Sequence, residues 1–367
     1  MDYPDEMTTI IPRNGRDKFD ESLYNGVAIT LFALSGVQGM NIAEFARKIG
    51  VSTAAVSYAI NNKDGHISAA TRQMILQRMD ELGYHPNHLA RALSTRQTRI
   101  IALWTYDVYP AYYTHTIAHL RQLLNREGFE FHIVAPPDSA HPVASVSWPV
   151  EGIIAFHKGE AVREMLAAGL NRGIPIVDMG VGTLTSIDHV RVNTYDASLQ
   201  AVEHLIATGR RRIAYLLPAR VNEQDEERCL AYHSVINDAG LLAEFIRFES
   251  AHDSADRPAA RDRMKDLVEQ HGCPEAIFGY DDEAAIGAYK GLRDLGIRIP
   301  DDVSLIGCDG IADTEYLDPS MSTIIQPVQQ MCECAWAYLK TRMADSGVAL
   351  QSQVLDARFV IRGSSNA

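Results

Sequence analysis

From Arg99 onward the sequence alternates short apolar runs with amphipathic stretches, and this alternation limits the fold more than any other feature. "RIIALW", "FEFHIVAP", "EGIIAF", "IPIVDMG" and "HVRVN" are each bounded by turn residues, and residues 113–127 and 161–172 between them carry helical spacing. After Asn193 the scheme restarts with "RIAYLLP", "EFIRFES", "AIFGYDD", "SLIGCDG" and "STIIQP". Strand–helix alternation implies βαβ units, hence parallel sheets covered by helices on both faces. Two series in one chain of 367 residues predict two doubly wound α/β lobes with a ligand crevice at the carboxyl ends of their strands. After the last run the chain is expected to cross back through 329–343 and to end with a strand around 359–362.

Residues 40–99 read differently, as short helices. Ile42, Phe45, Ala46 and Ile49 share one face, Gly50 breaks the pattern, and Ser52 stands where an N-cap oxygen is wanted. A second helix to about Ile60 continues the apolar stripe with Val56 and Ile60. A third opens at Ser68 and runs through Ile75, Met79 and Leu82 to Gly83. Two short helices joined by a tight turn, with a third in support, make a helix-turn-helix, whose second helix enters the major groove. That geometry explains "GVSTAAVSYAINN": Thr53, Ala54, Ser57, Tyr58 and Asn61 face away from the core, and all but Tyr58 are short, as a surface approached closely by DNA requires. A structural three-helix bundle would leave this polar, acid-free face unexplained.

Charge agrees once the chain is divided. The net charge is −13, yet residues 40–99 hold eight Lys or Arg (Arg47, Lys48, Lys63, Arg72, Arg78, Arg91, Arg96, Arg99) against four acids (Glu44, Asp64, Asp80, Glu81). A small basic head on a large acidic body is the asymmetry of a nucleic-acid reader fused to another module. The five cysteines (Cys229, Cys273, Cys308, Cys332, Cys334) are scattered and odd in number, which points to reduced thiols and a cytoplasmic location. The apolar run at 27–34 follows acids where a signal peptide needs positive charge, and no run reaches the length of a membrane span.

"IAEFARKIGVSTAAVSYAINN" and "ISAATRQMILQRMDELGYHPNHLARAL" closely resemble the head of the LacI/GalR family of bacterial transcription regulators. "EHLIATGRRRIAYL", "RIPDDVSLIGCDG" and "MSTIIQP" resemble its core, which is like the periplasmic sugar-binding proteins. The resemblance implies a repressor that binds a palindromic double-stranded DNA operator as a homodimer and answers to a small-molecule effector. It divides the chain into an extension (1–39), a helix-turn-helix head (40–84), a hinge helix and linker (85–98) and a two-lobed effector-binding and dimerisation core (99–367). "MNIAEFARKIGVS" begins where family members usually begin, so Met40 is the expected initiator and 1–39 the dispensable part. Only 363–367 follow the last strand, so a C-terminal heptad helix joining dimers into tetramers is not expected.

By the same resemblance Thr53, Ala54 and Tyr58 fall where base edges are read, and Ser52, Ser57 and Asn61 where phosphates are held. The family usually has Arg in the place of Tyr58 and Thr in the place of Ala55, so operator sequence does not carry over. In "YHPNHLARALSTRQT" Asn87 can cap a hinge helix, with Ala90 and Leu93 on its apolar side. Leu93 is placed to wedge into a central base step from the minor groove. Arg228, Asp281, Asp309 and Asp196 fall at cleft-lining positions, Asp281 in place of the family's usual Asn and Gly310 in place of its usual second Asp. "WTYDVYPAYY" adds Asp107, Tyr109, Tyr112 and Tyr113 at the end of the first strand. Carboxylates, an arginine and aromatic faces suit a neutral, hydroxyl-rich ligand, most simply a sugar.

Chemistry of other kinds is sparse. The chain has no HExxH, P-loop, GxSxG or Cys/His cluster at metal spacing, and Gly180-Val181-Gly182 reads as a turn, so no cofactor, metal or catalytic residue is expected. Asp281-Asp282 ends a strand, but adjacent residues rarely converge on one substrate. An enzyme and a solute carrier without a DNA role are the alternative readings. A carrier would need a signal sequence and no helix-turn-helix.

Overall fold

The computed structural model describes residues 40–60, 65–84, 98–105, 109–134, 150–171, 173–181, 184–224, 226–249 and 256–366. The chain divides into two compact units, Met1–Arg91 and Ala92–Ala367. Asn61, Asn87, Ala90, Leu93, Asp107 and the 1–39 extension lie outside the described residues.

The first unit contains three helices among its described residues: α1 (Ile42–Ile49), α2 (Thr53–Ile60) and α3 (Ala69–Leu82). Asn41 and Glu44 form a capping box at the start of α1, Asn41 Oδ1 accepting from the Ala43 and Glu44 backbone amides while Glu44 Oε2 accepts from the Asn41 backbone amide. Gly50 closes α1 in the left-handed region at φ 73°, a conformation open to glycine. Ser52 Oγ then accepts from Ala55 N at 3.1 Å and caps α2, and Ser68 Oγ caps α3 through Thr71 N at 3.1 Å. Phe45, Ala46, Val56, Ala59 and Ile75 fill the core, where the Phe45 ring stacks on Tyr84 at 4.3 Å. The helix-turn-helix expected from spacing is present, and its turn is as short as the sequence requires.

The second unit holds two six-stranded sheets. The first has strands β1 (Ile100–Trp104), β2 (Glu130–Val134), β3 (Gly152–Phe156), β4 (Ile176–Gly180), β5 (Asp188–Asn193) and β11 (Ser352–Asp356), in the order β11-β5-β4-β3-β1-β2. The second has β6 (Ile213–Pro218), β7 (Glu244–Phe248), β8 (Ala276–Gly279), β9 (Ser304–Asp309), β10 (Ser322–Ile325) and β12 (Arg358–Val360), in the order β12-β10-β9-β8-β6-β7. All neighbours are parallel except β10 and β12. Helices α4 (Ala111–Arg126), α5 (Gly159–Ala167) and α6 (Tyr195–Ala207) follow strands of the first sheet. Helices α7 (Glu227–Asp238), α8 (Asp256–His271) and α9 (Asp282–Asp294) alternate with those of the second.

Helix α10 (Val328–Ala344) crosses back and packs on the first sheet through Met331, Cys332, Ala335 and Leu339. Arg342 near its end grips the buried Asp188 of β5 with two hydrogen bonds of 2.9 and 2.7 Å. The two doubly wound lobes are therefore as expected. β11, which the sequence reading does not anticipate, adds an edge strand to the first lobe before β12 returns to the second.

Candidate functional site

Ser52 at the cap and Thr53 and Ala54 in the first turn of α2 are exposed, with Ser57 and Tyr58 half-buried beside them. Val56 and Ala59 point into the head's core, with Ala55 and Ile60 packed partly against it, so small apolar contacts along one side hold α2. Arg72 of α3 donates to the Ala59 carbonyl at 3.3 Å, placing a cation at the α2 C-terminus where the helix dipole favours it. The Tyr58 ring stacks on His66 at 4.5 Å, which orients its hydroxyl. A short-side-chained, acid-free helix face on a rigid three-helix support matches the needs of major-groove entry.

In the second unit a cleft of about 480 Å³ opens at the carboxyl ends of the strands, where sheets of this topology bind ligands. The first lobe contributes Tyr112, Tyr113, His157 and Val181, and the second Arg228, Tyr280, Asp281 and Asp309. Between them stands Gln326, just past β10. The Tyr112 hydroxyl donates to Gln326 Oε1 at 2.8 Å, and Gln326 Nε2 donates to Asp309 Oδ1 at 2.7 Å. This chain joins the two lobes across the floor of the cleft. Sequence reasoning missed Gln326, although it stands inside the "STIIQP" run.

Arg228 is 5 % exposed and already engaged. Its Nε donates to Glu226 Oε1 at 2.6 Å, an Nη donates to the Tyr280 carbonyl, and the guanidinium lies 3.9 Å over the Tyr280 ring. Burial opposes its charge, and Glu226 and Tyr280 outweigh burial. Glu226, also missed in the sequence, caps α7 through the Cys229 amide at 2.8 Å. His157 Nδ1 accepts from Val181 N at 3.2 Å, which leaves the proton of the neutral ring on Nε2. Burial, with Arg228 and Lys158 nearby, lowers its pKa to about 4, so the imidazole is neutral at pH 7.

Asp281 caps α9 by accepting from Ala284 N at 2.7 Å. Burial raises its pKa, and the Asp309 charge raises it further; burial and the Asp282 charge do the same to Asp309. Two of the expected cleft residues sit elsewhere. Tyr109 is 78 % exposed and does not line the cleft, because it precedes the Pro110 that starts α4 and turns outward. Asp196 is exposed in the first turn of α6, accepting from Asn193 at 2.9 Å, and is likewise absent from the cleft wall. Tyr112, Tyr113, Arg228, Asp281 and Asp309 are brought together. Among the described residues no group of three or more His, Cys, Asp or Glu is arranged for a metal ion, and no helix is long and apolar enough to cross a membrane.

A helix-turn-helix head followed by a two-lobed core with a cleft at its strand ends defines a DNA-binding transcription regulator. Residues 41–87 match the model of bacterial regulatory proteins of the lacI family, and residues 202–365 match the periplasmic binding protein-like domain. The chain belongs to the lacI family. The HTH-type transcriptional repressor PurR of Vibrio atlanticus (strain LGP32) is 29 % identical over 313 residues, spanning 83 % of this chain and 92 % of its own. The HTH-type transcriptional regulator DegA of Bacillus subtilis (strain 168) is 28 % identical over 304 residues, spanning 79 % and 87 %. The lac repressor dimer bound to operator and the anti-inducer ONPF shares the fold at a TM-score of 0.74 and 22 % identity, over 90 % of this chain and 100 % of that one. The regulator CelR in complex with cellobiose shares it at a TM-score of 0.62 and 24 % identity, over 88 % and 99 %.

Proposed function

We propose that this regulator is a cytoplasmic, non-enzymatic repressor that binds a palindromic operator as a homodimer and is controlled by a sugar or sugar derivative held between its lobes. The observation that carries the effector reading is the chain Tyr112–Gln326–Asp309, which ties both lobes to one polar floor beside Arg228. A ligand that hydrogen-bonds to this floor touches both lobes at once and so biases their relative placement. The similar regulator CelR, solved with cellobiose, and the lac repressor, solved as a dimer on its operator, support the sugar and homodimer parts of the reading.

Thr53, Ala54 and Tyr58 are read as base-facing, and Ser52, Ser57 and Asn61 as phosphate-holding. Asn87, Ala90 and Leu93 belong to a hinge that folds on DNA, with Leu93 as the wedge that kinks the operator. A non-enzymatic role accords with the structural tasks of the two adjacent acids: Asp281 caps a helix, and Asp282 accepts from Gly310 N, Ile311 N and Thr323 Oγ1.

Gel shifts with genomic fragments, repeated with a library of sugars, purines and organic acids, test the whole reading. One set of fragments should shift, and sugars should alter the shift. Failure of every fragment would end the DNA assignment. A response confined to purines or organic acids would end the sugar assignment. Leu93→Ala should weaken operator binding and bending while leaving the core's ligand response intact.

A further inference from the structure

The cleft holds more acidic side chains than its cations pair with. Six carboxylate residues line it: Glu226, Glu227, Asp256, Asp281, Glu283 and Asp309. Four have a cation partner. Arg228 takes Glu226 at 2.6 Å, Arg191 takes Glu227, Arg257 takes Glu283, and Arg220 reaches Asp256 at 3.4 Å. Asp281 and Asp309 make no ion pair among the described residues. Each spends one oxygen on a neutral donor, Ala284 N and Gln326 Nε2 respectively. Two carboxylates left this way in a partly desolvated cleft repel each other and favour any cation that can reach both.

We propose that the ligand of this cleft carries a basic nitrogen, as an amino sugar does, and that its ammonium seats between Asp281 and Asp309. The inference rests on reading the cleft as the effector site and specifies the chemistry of what fills it. An organic ammonium fits better than a bare metal ion because the cleft of about 480 Å³ is faced by Tyr112, Tyr113 and Tyr280. Their rings give the wall an aromatic character that suits an organic ring rather than a compact ligand shell. Arg228 attracts both acids, but it is shared with Glu226 and the Tyr280 carbonyl, and both carboxyls stay raised in spite of it. The raised pKa values of the two acids agree, for the empty cleft then retains a proton that a bound ammonium displaces.

The test uses the full-length protein at pH 7, with thermal shift and calorimetry. The probes are glucosamine and its de-N-acetylated β-1,4 dimer, N-acetylglucosamine, glucose, cellobiose, glucuronate and putrescine. The amino sugars should bind at least tenfold tighter than their neutral or N-acetylated counterparts and should release protons on binding. Asp281→Asn should bring amine and neutral forms within about threefold of each other. The unliganded variant should melt no lower than the parent, because Asn caps a helix as well as Asp does and the repulsion with Asp309 is removed. Neutral sugars binding as tightly as amino sugars would overturn this inference while leaving the sugar reading in place. Putrescine binding without any sugar would sustain the basic nitrogen and overturn the sugar. Binding of glucuronate alone, binding of no probe, or amine binding indifferent to both Asp281→Asn and Asp309→Asn would overturn the inference.

Discussion

Gly307 has no side chain because Asp282 occupies the space one would need: a Cβ built at 307 lies 2.1 Å from Asp282 Oδ1. That oxygen accepts from Thr323 Oγ1 at 2.7 Å, on the residue paired with Gly307 across β9 and β10. The other oxygen accepts from the Gly310 and Ile311 amides at 2.7 and 2.9 Å. One carboxylate at the start of α9 thus fixes the turn after β9 and the strand beside it, and so sets where Asp309 and Gln326 meet in the cleft.

Asp282→Ala strands the buried Ile311 amide, the half-buried Gly310 amide and the Thr323 hydroxyl, and is expected to cost about 3 kcal/mol. Urea unfolding of the purified protein measures it. A loss below about 1 kcal/mol would show that the turn holds itself.

Asp178 of β4 introduces a pH dependence. Its carboxyl is 6 % exposed and Oδ1 has no hydrogen-bond partner, and burial raises the pKa to about 7 against the pull of Met179 N and Arg163. The folded state therefore favours the protonated acid. This contribution is fully present below the unfolded-state pKa near 4 and is lost as pH rises through about 7. Asp178→Asn should flatten stability between pH 5 and pH 8 and leave the variant more stable than the parent at pH 8, by on the order of 3 kcal/mol. Equal unfolding midpoints for the two proteins at both pH values would remove Asp178 from the account.

The parts of this molecule that were legible in the sequence are those where burial dictates residue type along a continuous run. Strands such as Gly152–Phe156 and Ile213–Pro218 are buried throughout and read as unbroken apolar segments. β11 is an edge strand with only Leu355 buried, so its sequence carries no such signal. Asn41 with Glu44 three residues on was readable as a capping box and went unread. In the cleft, the family resemblance located Arg228, Asp281 and Asp309, while the charge on Glu226 and the bridging role of Gln326 depend on pairings between distant segments. Tyr109 and Asp196 failed for a local reason. Each lies within two residues of a helix start, where the direction of a side chain turns on the cap rather than on the strand before it.

Gly287 tests how closely α8 and α9 approach. A Cβ at 287 would lie 2.3 Å from the Arg257 carbonyl oxygen and 2.9 Å from Ala260 Cβ. Backbone cannot yield as a flexible side chain does, so Gly287→Ala should destabilise the protein by roughly 1–3 kcal/mol, although alanine is the better helix former. Thermal unfolding measures it, and an unchanged or raised melting temperature would mean that the helices separate freely.

Tyr58 carries the sharpest expectation about DNA. Its ring lies flat against His66, 4.5 Å between centroids, on the half of α2 that turns away from Val56 and Ala59. A tyrosine held there offers one hydroxyl and a ring edge, which suit a phosphate or a thymine methyl but not the paired acceptors of guanine. Arginine at this position has a longer reach and a fork that matches guanine O6 and N7. Tyr58→Arg should therefore shift selection from randomised duplexes toward guanine at one position in each half-site, with discrimination of about 1–3 kcal/mol. His66→Ala should weaken the parent's preference at the same position without creating the new one, because it frees the ring but supplies no donor pair. Identical selected sequences for all three proteins would show that Tyr58 packs against its neighbour and does not read the groove.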